Sequence, residues 1–257
     1  MNLIDASKPE TFPKELENIV IMCLSRIPEK EKQKLRNNPI RNENDVQCAI
    51  EAYFSPKCSA YYHDIYPNEL IPAFNNYGLL CFHATRIGCI EDITRNGLFL
   101  RQEKYERYLS EFLRSKAVTE KQIQGALEAI SKEYNRKKRE LPRDICFFVS
   151  YGALHDCDEG WSYDVYCENV GGELAKGALT GEMQDILSIL QMNGIPVIVK
   201  LEIPFRQVTD IQKNTLIYQF VACVVAKKLW NFNYVIDADA ATTEEIPPEN
   251  IIEVITV

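Results

Sequence analysis

No stretch of about 18 consecutive apolar residues occurs in this chain, so its sequence predicts no helical membrane span. Its 257 residues hold only 11 glycines and 12 prolines, which excludes a collagen-like or proline-rich chain. Neither Gly-x-Gly-x-x-Gly nor Gly-x-x-x-x-Gly-Lys-Ser/Thr is present. A dinucleotide-binding doubly wound sheet and a P-loop therefore lack their usual marks. Nine cysteines occur without one Cys-x-x-Cys pair, and there are only three histidines. Met1 to Glu10 shows no basic flank leading into an apolar segment, so no secretory signal is expected. The scattered, odd-numbered cysteines then read as reduced thiols in a cytoplasmic protein.

What is present is ordinary globular material, 46% hydrophobic and 26% charged. The length allows two domains or one large one. Twenty-nine basic against 37 acidic residues give a net charge of −8, which argues against a uniformly basic nucleic-acid binder. The charge is uneven, however. Residues 101–141 carry 11 Lys and Arg against 7 Asp and Glu, a local +4 that leaves −12 for the remainder. Part of that surplus is the run Arg136-Lys137-Lys138-Arg139. It reads as a solvated helical face or as a face for a phosphate-bearing partner.

Residues 1–75 read as a mainly helical accessory region, either a brace over the sheet or a surface for an acceptor or a neutralising protein partner. Pro13 opens a helix that Pro28 ends, and a second follows Asn42 or Asn44 and stops before Pro56. The aromatic segment 61–67 reads as an edge or loop. From residue 76 onward, extended segments are expected at 79–84, 145–150, 196–203, 233–237 and 251–257. Helices are expected across 101–141 (two, parted near Ala117), at 173–189 with a break near Gly181, and at 211–230. Thr119 and Gln122 form a potential capping box. Unequal insertions between the strands favour an α+β fold with a mixed or mostly antiparallel sheet.

The run Leu80-Cys81-Phe82-His83-Ala84-Thr85 is apolar until its end, where an imidazole and a hydroxyl appear. These two groups can hold a ribose or phosphate at the mouth of a cleft, and Arg86 can pair with a pyrophosphate. A core imidazole hydrogen-bonded inside the fold would look the same. The run, the Ile90/Ile93 helix face and Asn96-Gly97-Leu98 together resemble the opening of ADP-ribosyltransferases of the diphtheria-toxin/PARP-like, histidine-first branch. The resemblance covers about residues 77–257 and includes the tail Ile246-Pro247-Pro248-Glu249-Asn250-Ile251-Ile252. It implies a split mixed β-sheet core with helical insertions, and NAD as a substrate whose nicotinamide ribose is held by His83. It also implies a tyrosine stacked on nicotinamide and a glutamate that stabilises an oxocarbenium-like state. A toxin, a phage-defence component or a secreted effector would be natural settings.

The chain departs from that pattern at two positions. Phe147-Phe148-Val149-Ser150 stands where a Tyr-Phe-Ser/Ala strand is expected, leaving Phe148 to stack and Tyr151 just beyond it. Asn233 stands where a late glutamate is expected, so the carboxylate is sought in Glu173, after Gly171-Gly172, or in Glu244 and Glu245. Tyr163 and Tyr166 are candidates to cover nicotinamide or touch the acceptor, with Trp161 beside them in sequence. The acceptor is a macromolecule, nucleic acid or protein, with the basic 101–141 insertion favouring the former. No metal is required. Competing readings are a non-catalytic binding module of the same fold, a zinc site from His155, Cys157, Cys167 and Cys146, and a cysteine-nucleophile hydrolase.

Overall fold

A computed structural model describes residues 2–54, 69–140, 144–154 and 166–257. The aromatic segment 61–67 and residues His155, Cys157, Trp161 and Tyr163 lie outside the described residues. The first half contains β1 (Asn2–Ile4), α1 (Lys14–Arg26), α2 (Glu29–Arg36), α3 (Glu43–Phe54), α4 (Ile71–Phe74) and β2 (Tyr77–Ile87). Then come α5 (Ile90–Asn96), α6 (Gln102–Ser115), α7 (Glu120–Glu140) and β3 (Ile145–Phe148). The chain continues with α8 (Gly172–Ala178), α9 (Gln184–Met192), β4 (Ile195–Pro204), α10 (Asp210–Trp230), β5 (Asp239–Thr242) and β6 (Ile251–Thr256). The fold is α+β.

β2 is apolar along most of its length because it runs through the middle of the sheet, whose order is β5-β3-β2-β4-β6. An unbroken antiparallel ladder joins it to β4 from Gly78↔Pro204 to Ile87↔Ile195. β4 in turn pairs antiparallel with β6. On the opposite edge β2 meets β3 in register at one position, Phe82↔Phe148. β3 then pairs with β5 through four positions, from Ile145↔Thr242 to Phe148↔Asp239. The sheet is thus divided into β2-β4-β6 and β3-β5, joined at a single cross-strand pair. β1 lies parallel to β2 alongside Tyr77–Leu79, while the pairings among β2 to β6 are antiparallel.

Among the described residues one hydrophobic core covers one face of this sheet, a small cluster around Phe82, Ala84 and Ile198 lies on the other, and a separate core joins helices. In the first, Leu16, Val20, Cys23 and Leu24 of α1 face Leu216, Phe220, Val221 and Val224 of α10, with Phe12, Phe74 and Phe205 closing the space. The Phe220 ring lies 5.0 Å from Phe12 and 4.9 Å from Phe74. α10 is apolar almost all round, as expected of a helix covered on more than one side. Residues 2–54 therefore share a core with the C-terminal half and also supply a strand. The second core is helical, with Leu109, Leu113, Ile123, Ile130, Leu174, Leu179 and Leu190 joining α6, α7, α8 and α9. Thr119 and Gln122 form the expected capping box: Thr119 Oγ1 accepts from Gln122 N at 3.4 Å, and Gln122 Oε1 accepts from Thr119 N at 3.2 Å.

The sequence reading errs at 233–237, which forms no strand; the neighbour of β3 is Asp239–Thr242 instead. Tyr234 and Ile236 are buried and Val235 exposed, an alternation that mimics a strand. They pack against α10, with the Cys223 thiol 3.4 Å from the Tyr234 carbonyl. The true strand, Asp-Ala-Ala-Thr, has weak β-propensity and forms because β3 and the core demand small residues there.

Gly97 ends α5 with φ +70°, and a Cβ there would lie 2.0 Å from the Ile246 carbonyl oxygen. That oxygen accepts from Leu98 N at 2.8 Å, and Ile246 N returns a bond of the same length to the Leu98 carbonyl. Gly97→Ala is expected to lower stability by about 2 kcal/mol or more, through strain and loss of this bridge. Urea unfolding of the variant should show a lower midpoint at unchanged slope.

Candidate functional site

The fork in the sheet brings His83 against β3. One residue beyond the Phe82↔Phe148 pair, the ring of His83 donates from Nδ1 to the Cys146 carbonyl at 2.7 Å. A carbonyl can only accept, so this bond sets the tautomer and leaves Nε2 as an acceptor in the neutral ring. Among the described residues, neither His83 Nε2 nor the Thr85 hydroxyl has a hydrogen-bond partner. Strand alternation puts both on the same face of β2, and both residues are half-buried. Burial lowers the His83 pKa below 6.5, against the opposing pull of the Cys146 carbonyl.

The aromatic candidates occupy the other face. Phe82 and Ala84 point away from His83 and pack with Phe148, Leu154, Tyr166 and Cys167. The Phe148 and Tyr166 rings meet edge to face at 5.5 Å, and Phe82 and Tyr151 do so at 5.4 Å. Tyr151 remains 37% exposed. Arg86 also lies on this face and is committed to main-chain carbonyls. Its Nε donates to Cys167 at 2.6 Å and its Nη1 to Gly194 at 2.8 Å, clamping two loops to the sheet. Thus His83 and Thr85 stand together, while Phe148, Tyr151, Tyr166 and Arg86 stand behind the strand that carries them.

Cys146 links the two sides. Its carbonyl holds His83, whereas its thiol lies 3.8 Å from Asp144 Oδ1. Burial, followed by the charges of Asp144, Asp239 and Glu173, pushes that thiol up to about 12. All three carboxylates thus act on the Cys146 thiol. Glu173 is the one singled out from sequence, and its placement is local. Gly171 and Gly172 adopt φ +87° and +57°, which glycine tolerates and most residues do not. The Tyr105 hydroxyl donates to the Gly171 carbonyl at 2.7 Å, and the buried Asn169 amide donates to that of Gly172 at 2.9 Å. The Glu173 side chain emerges 86% exposed, 4.0 Å from Lys137 Nζ.

The other carboxylates have structural partners. Glu245 accepts from Leu100 N and Arg101 N at 3.2 Å each and from Lys104 Nζ at 2.7 Å, fastening the start of α6. Burial opposes its charge, yet Lys104 and the two main-chain donors hold its carboxyl below the usual range. Glu244 accepts from Gln207 at 2.7 Å. Asp239 was not anticipated from sequence, because the strand carrying it was assigned to 233–237. Its register opposite Phe148 places it at the fork. Only a correct strand pairing would have found it.

The rival chemistries find little equipment. Among the described residues no cluster of three His, Cys, Asp or Glu side chains is arranged for a metal ion. The Cys167 thiol lies buried, 3.6 Å from the Val197 carbonyl. Burial raises the Cys223 thiol to about 12 as well, and that of fully enclosed Cys81 well above its ordinary value. None of these is an activated nucleophile.

Because the folded-state pKa of His83 is depressed, the unfolded chain takes up that proton first as pH falls. The His83 contribution to stability is fully present above pH 6.5 and is lost as pH drops toward the folded pKa. His83→Asn keeps a donor for the Cys146 carbonyl and removes the titration. The difference between wild-type and variant unfolding free energies should therefore change with pH below 6.5 and stay flat above it, in urea titrations at stepped pH.

Compared with known proteins, the chain matches no family model, no curated protein and no solved structure.

Proposed function

We propose that the chain transfers ADP-ribose from NAD to a macromolecular acceptor and releases nicotinamide, with the fork between β2 and β3 as the nucleotide site. One observation carries this reading: His83 Nε2 and the Thr85 hydroxyl, side by side and unpaired among the described residues, where the sheet divides. A split sheet, and a histidine near the end of a core strand that holds the nicotinamide ribose, are what the resemblance to histidine-first ADP-ribosyltransferases implies. In this reading the imidazole, held from behind by Cys146, accepts from a ribose hydroxyl, and Thr85 binds a second oxygen. The C1′–N1 bond breaks with its electron pair passing to the pyridinium nitrogen, so nicotinamide leaves neutral. Positive charge builds on C1′ and the ring oxygen, where a nearby carboxylate lowers the barrier. A lone pair of the acceptor then forms the new bond to C1′, and the acceptor loses its proton. Glu173 supplies the carboxylate by turning away from Lys137; Asp239, in register with Phe148, shares that residue's face, away from His83. Arg86 has no part in gripping the pyrophosphate unless its two carbonyl bonds break.

A second reading, a non-catalytic module of the same fold that binds a nucleotide or protein, is favoured by a different observation. The aromatic residues expected to stack on nicotinamide face away from His83. Adenylate-labelled NAD offered together with DNA, RNA and extract protein separates the two readings. Transfer predicts label on an acceptor and an equal amount of free nicotinamide, reduced about 100-fold or more by His83→Ala. Glu173→Gln removes the working carboxylate and should cost about 100- to 1000-fold, whereas Asp239→Asn should leave transfer close to wild type. Binding of NAD with no label transferred leaves only the module; absence of both binding and transfer ends the transferase reading and restricts the module to a protein or another nucleotide.

A further inference from the structure

The sheet ends on an open edge. β6 is the last strand on its side, paired with β4 and, among the described residues, with nothing beyond it. Val257 N donates to the Pro196 carbonyl at 3.3 Å, one step past the Val197↔Thr256 pair. Antiparallel alternation then turns the main-chain groups of Glu253 and Ile255 toward β4 and those of Val254 and Thr256 outward. No hydrogen bond reaches these outward groups among the described residues. Edge strands are ordinarily blunted by lysine, proline or a covering element. Residues 251–257 contain no lysine, proline or glycine, and five of the seven are isoleucine or valine. Their one charge, Glu253, is already met by Lys200 at 3.7 Å. The register shift opposite Lys200 and Leu201 disturbs only the start of the strand. Ile252 remains 46% and Val257 41% exposed.

We infer that this edge pairs with the same edge of a second copy, joining two chains through one continuous antiparallel sheet. An edge of this kind is complementary to itself, and a two-fold axis closes the pair so that no further copies add. With the axis at Val254, that residue meets its own equivalent, Ile252 meets Thr256, Glu253 meets Ile255 and Ile251 meets Val257. The outward main-chain groups all find partners in this register, the whole of 251–257 enters the pairing, and no like charges face each other. An axis at Glu253 would instead set carboxylate against carboxylate. Two chains of net charge −8 repel, so the join comes from main-chain bonds and apolar contact along a locally neutral strip. It should therefore tighten as salt screens the repulsion. The His83 fork lies on the side of β2 away from β4, so the pairing touches neither copy's fork. The inference thus stands apart from the transferase reading.

Sedimentation velocity of the full chain from about 1 to about 200 μM tests this, because one short strand pair is a small interface and implies micromolar affinity. The mass should rise from 29.6 kDa toward twice that value with concentration. Thr256→Pro deletes an outward donor, costs β4 no hydrogen bond, and should weaken the dimer about tenfold or more. Ile252→Lys/Thr256→Lys sets like charges opposite each other on both sides of the axis and should likewise weaken it about tenfold or more. Ile252→Lys/Thr256→Glu sets opposite charges there and should stay within about threefold of wild type. Hydrogen exchange at the Val254 and Thr256 amides should slow in concentrated wild type and not in Thr256→Pro, where Val254 alone reports. The inference is overturned if wild type stays monomeric throughout, if Thr256→Pro dimerises like wild type, or if the two charged variants dimerise alike. Protection of these amides that appears only with another protein, while the chain stays monomeric, would give the edge to that protein and overturn pairing with a second copy.

Discussion

Everything near the candidate site depends on the separation of β2 from β3 after a single cross-strand pair. A continued ladder would have joined the two strands with main-chain hydrogen bonds past Phe82 and Phe148. Instead the His83 ring supplies one bond across the gap, to the Cys146 carbonyl. That substitution satisfies a carbonyl the parted strands leave behind, and it holds the imidazole by one nitrogen while presenting the other. The ten-position ladder between β2 and β4 gives the arrangement a rigid back. An imidazole on a loop could not be fixed so well by one hydrogen bond.

Elements whose hydrophobic period is set by their own residues were legible in the sequence. α10, the paired helices α6 and α7, and strands β2, β4 and β6 all carry apolar residues dense enough to announce themselves. Three others were not legible, for different reasons. β1 is three residues long and exists because β2 offers an edge to it. α2, with Leu35 as its one buried residue, has little apolar face to detect. β5 is made of Asp, Ala and Thr, residues that adopt a strand because β3 requires a neighbour. Local pattern in each case is weaker than the tertiary demand.

The candidate site divides along the same line. His83 and Thr85 were found because an abrupt polar ending to an apolar strand is visible in a linear sequence. Which face Phe148, Tyr151 and Tyr166 occupy depends on pairing, and so does the presence of Asp239 at the fork. Arg86 looked like a phosphate ligand beside His83, yet adjacent residues on a strand point to opposite faces. Its guanidinium met two main-chain carbonyls there. Glu173 kept its predicted association with the glycine pair, though it stands in solvent beside Lys137 and not inside a closed cleft.

The interlocking of the chain's first helices with α10 bears on how the protein is made. Trp230 Nε1 donates to the Leu35 carbonyl across 195 residues of chain, and α1 waits for the same distant helix to cover its apolar side. At about 5–20 residues per second, a ribosome needs roughly 10–40 seconds to span such an interval. Throughout that time the nascent segment carries uncovered Leu16, Val20 and Leu24. Chaperone engagement early in translation, and aggregation when elongation stalls before α10 emerges, are the costs of closing a core with its last long helix.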